Sequence, residues 1–378
     1  MKEGENKGKK ILLVADYSNF HTTLAKGLRR LGCDVTLASD GGTFMQTDRD
    51  IDISRRYSSK AGGLLHAASL ALTTLRSLRG YDIVSIRDPQ FLNLRPERIG
   101  WFLDRIVRNN KACFQSFLTT DVRFLDMLEA PDSPLRYSEW FIDGAPSRLR
   151  VSEAWRWEEW HAPEMRRLAD RFYAGMRGAV TALYEYHKAA ERIYPEGKVA
   201  YGGIPIDVDT IALREIDRPR KVRLFLARDR RRMLEKGNDL LEEAARNVVA
   251  RHPDGAELVI VENVTRRQYI ETMQTCHVVL DQIYSYTPAT MALESMAAGL
   301  TVVSGAEPEF YDFIGEKENF PIINAPIELE ALEKTIEEIV ATPELLRERG
   351  IRGREFVTKH NHMETVARRF LKFWNDNA

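Results

Sequence analysis

Between Asp281 and Ser304 the chain reads DQIYSYTPATMALESMAAGLTVVS, a stretch whose residue types suit the holding of an anion and a diol. Thr287 is a candidate N-cap, and Pro288 suits the first helical position, where its missing N–H costs nothing. The backbone amides of Ala289, Thr290 and Met291 would then point out of the helix start and form a ready anion site. Glu294 lies seven residues after Thr287 and four after Thr290, so the three share one helical face, with the carboxylate two turns below the amides. A diphosphate on the amides would set a ribose beside Glu294. Ala292, Ser295, Ala297 and Ala298 allow close helix packing, Gly299 suits a left-handed C′ position, and LTVV is an apolar, partly β-branched run.

A second constellation follows the strand-like LFLA: in RDRRRMLEK, five of nine residues are basic. The carboxyl end of a strand is where open α/β sheets bind ligands, and both the arginine fork and the lysine point charge suit a diphosphate. Arg228, Arg232 and Lys236 are the candidates to neutralise one; a solvated charge run is the alternative. The loop Gly305 to Phe313 offers Glu309 as a sugar contact, although Glu307 and Glu309 also fit as first-turn helix acids. Tyr286 could set its hydroxyl or ring against a sugar, or could be a packed loop aromatic. Near the amino terminus, Asp16-Tyr17-Ser18-Asn19-Phe20-His21 occupies the turn after the first strand, and Thr119, Thr120 and Asp121 end another strand. Of these, Asp121 or His21 is expected to contact substrate.

The 281–304 stretch resembles the ribose-binding motif of the retaining glycosyltransferases of the GT-B fold, in particular the family-4 enzymes known as glycosyl transferases group 1. In that motif two glutamates eight positions apart precede a small-residue run and a Gly-x-x-V-V strand; here Glu294 matches the second and Tyr286 stands at the first. Lys236-Gly237 matches the family's Lys-Gly pair, with Arg232 the favoured match for its arginine and Arg228 the second choice. The resemblance implies an α/β fold of two Rossmann-like domains facing a cleft, with a C-terminal helix crossing back to the first. It implies a hexosyltransferase using a nucleoside diphosphate sugar, UDP- or GDP-linked, as donor, with retention and with no metal or other cofactor. Lys236, Arg232 and Asp121 would form its catalytic set; Arg228, Gly237, Tyr286, Thr287, Ala289, Thr290, Glu294, Glu309 and His21 would bind substrate. The acceptor would be a carbohydrate or lipid-linked hydroxyl, in polysaccharide or lipopolysaccharide synthesis. A non-catalytic nucleotide-sugar-binding relative, an inverting GT-B enzyme and a sugar-nucleotide epimerase are the alternatives.

The elements that must position these residues alternate along the chain. KKILLVAD, CDVTLAS, YDIVSI and ACFQSFL read as buried strands separated by helical patterns at TTLAKGLRRLG, Gly62 to Leu78 and Pro96 to Val107. Strict alternation predicts a parallel sheet with helices on both faces. Residues 128–180 break the rhythm with Trp, Arg, Glu and four prolines, ending in a helix expected over Glu164 to Ala182. After YGGIPIDVDTIALREIDRPRK a second block begins, with strands KVRLFLA, AELVIVE and HVVLDQI around helices NDLLEEAARNVVARH and TRRQYIETMQT. The domains are therefore placed at 1–205 with 362–378 and at 206–361. In the tail, Val366, Phe370 and Trp374 form one helical stripe.

With 378 residues and 44% hydrophobic content, two ordinary globular domains are expected. The 55 basic and 56 acidic residues leave a net charge of −1, so nothing draws the whole chain to nucleic acid. Three scattered cysteines, Cys33, Cys113 and Cys276, argue against a disulfide or zinc framework. MKEGENKGKK has no apolar run behind it and no segment is long enough to span a membrane. The expectation is a cytoplasmic protein, or one peripheral at the inner membrane face through a weak contact. Trp155, Trp157 and Trp160 with Arg150, Arg156, Arg166 and Arg167 could form an acceptor platform, a membrane-facing patch or core. Asp207-Val208-Asp209, though it looks like a metal-binding Asp-x-Asp, sits in the linker and reads as structural, and no dinucleotide fingerprint occurs.

Overall fold

The computed structural model describes residues 7–378 apart from 43, 44 and 46; the first six residues of the charged start lie outside the described residues. The chain divides into two compact units, one of Met1–Ala130, Trp155–Pro205 and Met363–Ala378, the other of Pro131–Ala154 and Ile206–His362. In chain order the strands are β1 (Lys10–Val14), β2 (Asp34–Ser39), β3 (Ile51–Asp52), β4 (Ile83–Ile86), β5 (Ala112–Phe117), β6 (Phe141–Ile142), β7 (Ala145–Pro146), β8 (Ala179–Thr181), β9 (Val199–Tyr201), β10 (Val222–Arg228), β11 (Ala256–Glu262), β12 (Val278–Leu280), β13 (Thr301–Ser304) and β14 (Ile323–Asn324).

The first unit is built on a seven-stranded sheet in the order β3-β2-β1-β4-β5-β8-β9, every pairing parallel. Its central strands are buried on both faces, which is why they are mostly apolar rather than alternating, with Ser85, Gln115 and Ser116 as buried polar exceptions. The helix Met363–Asn377 belongs to this unit: it packs on the helix Phe20–Arg30, with Phe370 against Phe20 and Trp374 over Phe114. Val366, Phe370 and Trp374 are all fully buried there. The helix expected to run from Glu164 to Ala182 stops at Gly175. Ala179, Val180 and Thr181 instead fill a buried strand between β5 and β9, where two sheet ladders outweigh local helix propensity.

The second unit carries a five-stranded, all-parallel sheet in the order β11-β10-β12-β13-β14. Leu224 to Leu226, Val278 to Leu280 and Val302 to Val303 make its dry centre. The helix Thr290–Ala297 ends at Ala298, and Gly299 takes φ +85° with the Arg214 carbonyl so close that a Cβ would sit 2.5 Å from it. Linker residues Val208–Thr210 form a 3₁₀ turn, held by Arg354 bonding to the Val208 and Ile211 carbonyls and by Asp209 facing His362 at 3.3 Å. Asp209 of the Asp-x-Asp thus has a structural partner.

Residues 131–154 differ from the sequence-based boundary, which put them in the first domain. They fold into the β6–β7 hairpin and the short helix Arg148–Ser152 within the second unit. The reason is a set of long-range bonds: the Arg136 amide donates to the Tyr286 hydroxyl at 2.7 Å, the Tyr137 hydroxyl to Glu307 at 2.7 Å, and Arg148 pairs with Asp239 at 2.7 Å.

Candidate active site

The carboxyl edge of the second sheet gathers most of the predicted residues. After β10 the chain makes a polar turn, a short helix Met233–Lys236 and the left-handed Gly237 (φ +68°), then enters the helix Asn238–Arg251. Only glycine fits there: a Cβ would lie 2.3 Å from Ile283 Cγ1. The turn aims Lys236 along the sheet edge, where its Nζ lies 3.3 Å from Asp281 Oδ1. Asp281, one residue beyond β12, is fully buried and also accepts the Ser304 hydroxyl at 3.2 Å. Asn238 donates to the Asp281 carbonyl at 2.9 Å, and the Ile283 amide donates to the Lys236 carbonyl at 3.0 Å. The lysine is thus fixed at both its backbone and its ammonium, with 21% of its side chain open to solvent.

Glu294 lies on the helix Thr290–Ala297, where its Oε1 accepts Arg266 Nη2 at 3.0 Å. Tyr269, one turn after Arg266, is buried, and burial first, then the charges of Asp281 and Glu294, push its hydroxyl well above the ordinary tyrosine range. Both carboxylates therefore act on one buried ring.

The helix start differs from the expectation. Ala289 is the N-cap and Thr290 the first helical residue, while Tyr286 and Thr287 are buried in the loop before it. The amides that lack an intrahelical acceptor are those of Thr290, Met291 and Ala292, with Leu293 making the first helical bond to Ala289. Thr290 and Glu294 keep their common face; Thr287 does not share it.

Tyr286 is packed in the loop before the helix. Its ring is fully buried, lies 4.9 Å from that of Tyr137, and its hydroxyl accepts the Arg136 amide. Burial raises its pKa. Beside it the loop after β13 holds Glu307, nine-tenths buried, which accepts from Tyr137 and Asn324, each at 2.7 Å, and pairs with Arg136. Burial alone would raise that carboxyl, but these donors outweigh it and hold it below the usual range. Glu309 is the first-turn acid of the helix Pro308–Ile314 and lies 3.2 Å from Arg136, while its Oε2 is buried without a hydrogen-bond partner.

Arg228 closes β10 at this edge. It bonds Glu242 at 2.9 Å and Glu262 at 3.0 Å, beside a shallow recess of about 410 Å³ lined by Glu243, Arg246 and Asn247. Two carboxylates already balance its charge. Arg232 pairs with Glu235 at 2.8 Å, one turn ahead of Lys236.

In the first unit neither of the expected substrate contacts faces solvent. Asp121 is the N-cap of the helix Val122–Glu129, accepting the Arg123 and Phe124 amides at 2.9 and 3.0 Å and the Tyr173 hydroxyl. Burial pushes its carboxyl up to about 6 against those hydrogen bonds. His21 is fully buried. Its Nδ1 donates to the Ala15 carbonyl, so Nε2 accepts the Ser116 hydroxyl at 2.9 Å, and burial keeps the ring neutral. The turn around it is tense: Ala15, Ser18 and Asn19 all have positive φ, a region where non-glycine residues are uncommon. Asp16 holds that turn through the Tyr17 and His21 amides at 2.8 Å and the Thr22 hydroxyl at 2.6 Å. At the same sheet edge Arg87 reaches the Asp16 carbonyl at 2.9 Å, and Asp88 accepts Thr119 at 3.1 Å but leaves a buried Oδ1 without a partner. The tryptophans split: Trp155 is exposed, whereas Trp157 is buried and stacked on His161.

Sequence reasoning passed over Asp281, Arg266, Arg136, Arg87 and Asp88. Asp281 was findable, as an acid closing the apolar run HVVLD; the others are joined to their partners only in three dimensions.

Two parallel α/β units, with a terminal helix returned to the first and a basic turn, buried aspartate and helix start on the second sheet's carboxyl edge, define the GT-B class. Residues 220–372 match a family model described as glycosyl transferase-like. No curated protein sequence matches the chain. Among solved structures, sucrose-phosphate synthase from Thermosynechococcus elongatus is similar at 12% identity and TM-score 0.60, covering 97% of this chain and 98% of that one. HepE of Anabaena, in complex with UDP and glucose, is similar at 12% identity and TM-score 0.59, covering 97% and 100%. A putative UDP-N-acetylglucosamine 2-epimerase from Listeria monocytogenes is similar at 11% identity and TM-score 0.52, covering 97% and 95%. The fold is GT-B, and together with the glycosyl transferase-like match over residues 220–372 it supports a glycosyltransferase.

Proposed function

We propose that the protein transfers a hexosyl unit from a nucleoside diphosphate sugar to an acceptor hydroxyl, with retention and without a resident metal. The observation that carries this reading is Lys236, pinned by the buried Asp281 at the sheet edge that also presents Glu294 and the free amides of Thr290 to Ala292. In it, Glu294 accepts the ribose hydroxyls, the helix amides bind phosphate oxygens, and Lys236 with Arg232 stabilises the charge that grows as the sugar–phosphate bond breaks. The electron pair of that bond goes to the leaving phosphate, the acceptor oxygen takes its place on the anomeric carbon, and the acceptor proton passes to a phosphate oxygen. HepE, solved with UDP and glucose, shares the fold that would hold such a donor. The acceptor is a carbohydrate or lipid-linked hydroxyl.

Calorimetric titration with UDP and GDP tests the reading. Glu294→Ala removes charge-assisted bonds to the ribose and should weaken the better nucleotide by roughly tenfold to a hundredfold. Equal affinity in the parent and the variant would sink the assignment.

A nucleotide-sugar-binding protein without turnover is the second reading, favoured by Tyr286: it stands where the family motif has a glutamate and is buried against Tyr137. Release of free sugar from UDP-glucose separates the two readings, and epimerised donor among the products would point to an epimerase.

A further inference from the structure

The segment from Ile53 to Tyr81 stands apart from the rest of the chain. It contains Arg55, Arg56, Lys60, Arg76 and Arg79 and no acidic residue, in a protein whose basic and acidic residues balance over the whole chain. Arg55 is spent on the Tyr57, Ser58 and Ser59 carbonyls, the other four form no ion pair among the described residues, and the acids just before the segment are taken, Asp50 by Arg29 and Asp52 by Arg49. Its helix, Lys60–Leu72, has charge only at its first residue. Gly62, Gly63, His66 and Leu70 face inward. The opposite face is also apolar: Ala61, Leu64, Leu65, Ala68 and Leu72 follow helical spacing and are exposed, Leu64 at 58%, Leu65 at 65% and Leu72 at 72%. Tyr57, just before the helix, is 64% exposed.

A solvent-facing helix normally turns charge outward, and an outward leucine face with an aromatic beside it marks an interaction site. Cations at both ends of an apolar face match the plane of an anionic bilayer, where leucines enter the acyl boundary and arginines and lysines meet phosphate headgroups. We propose that this helix face docks the protein on an anionic lipid surface, lying in the interface rather than crossing it. No helix among the described residues is long and apolar enough to cross a membrane. Of the three readings left open for Trp155, Trp157 and Trp160, core holds for Trp157, and the lipid contact proposed here lies at residues 53–81 instead. The proposal stands independently of what the protein transfers.

Co-sedimentation of the full chain with vesicles of phosphatidylcholine, alone or mixed with phosphatidylglycerol, tests it. Binding is expected to the mixed vesicles, to weaken with salt, and to be slight on neutral ones. The combined change Leu64→Ser, Leu65→Ser and Leu72→Ser should lower partitioning at least tenfold, to about a hundredfold. The separate set Arg56→Glu, Arg76→Glu and Arg79→Glu should lower it by about fivefold or more per residue. All six positions are on the surface, so melting temperatures should stay close to the parent's, and should either set unfold the protein the other still decides. No binding to the mixed vesicles, equal binding to neutral ones, or binding untouched by the leucine set overturns the proposal. So does a parent dimer in light scattering that the leucine changes dissociate, which would assign the face to a second copy.

Discussion

Lys236→Met asks whether the lysine serves the fold, the ligand or both, and the structure gives a magnitude for each. The lysine lies 3.3 Å from the carboxylate of a fully buried aspartate whose other side-chain partner is one hydroxyl at 3.2 Å. Breaking a buried pair by removing one member costs about 3–5 kcal/mol; with the lysine partly solvated the expectation falls to about 2–3. In a two-state unit of this size that lowers the melting temperature by roughly 4–12 °C. Adding Asp281→Asn removes the stranded charge while keeping an acceptor for Ser304, so the double variant should recover most of that loss. Nucleotide affinity should not recover. A lysine about 4 Å from a diphosphate is worth at most about 4 kcal/mol at an effective dielectric of about 20. After desolvation about 2 kcal/mol remains, or roughly a thirtyfold rise in Kd for the better of UDP and GDP in both variants. Paired calorimetry and thermal melting decide it: a double variant that regains both stability and affinity shows that Lys236 never touches the nucleotide, and an unmoved melting temperature in Lys236→Met refutes the anchoring argument.

Tyr286→Phe strips the acceptor from the Arg136 amide and should cost about 1–3 kcal/mol of stability in denaturant titration while leaving nucleotide affinity unchanged; a large affinity loss with normal stability would restore the sugar-contact reading. Gly237→Ala forces a side chain into φ +68° and against Ile283, so a loss of more than about 2 kcal/mol is expected from the same titration. Asp121 holds its proton up to about 6, above the unfolded value of about 3.9, so the folded state binds the proton more tightly. Its contribution to stability is present below pH 4 and is lost as pH rises toward 6, by up to about 3 kcal/mol. Asp121→Asn remains a competent cap without that titration, so its stability relative to the parent should rise between pH 4 and pH 7; parallel pH curves would contradict the assignment.

What the sequence could and could not disclose follows from how far apart the causes lie along the chain. The sheets were readable because parallel strands buried on both faces are apolar along most of their length, as in LFLA and the centre of TVVS. Lys236 and Glu294 were readable because a glycine turn and a helical spacing are local. The helix start was misplaced for the opposite reason. Thr287-Pro288 carries a strong local signal for an N-terminus, yet the hydroxyl of Tyr286 is bonded to an amide 150 residues away, and that contact holds Tyr286 and Thr287 in the core. The helix then begins at an alanine cap that offers no side-chain oxygen, a position no capping rule would choose. The same distance hid Arg136 and gave residues 131–154 to the wrong domain. Asp121 and His21 show another kind of distance: their positions at strand and helix ends are those of ligand contacts, but in the fold Asp121 caps a helix and His21 meets a buried serine pair. A polar residue at a sheet's carboxyl edge is thus evidence of function only when the fold has left polar atoms unspent, and on the second sheet Lys236, held by one carboxylate but a fifth exposed, and Glu309, whose Oε2 lacks a partner, come nearest to the condition.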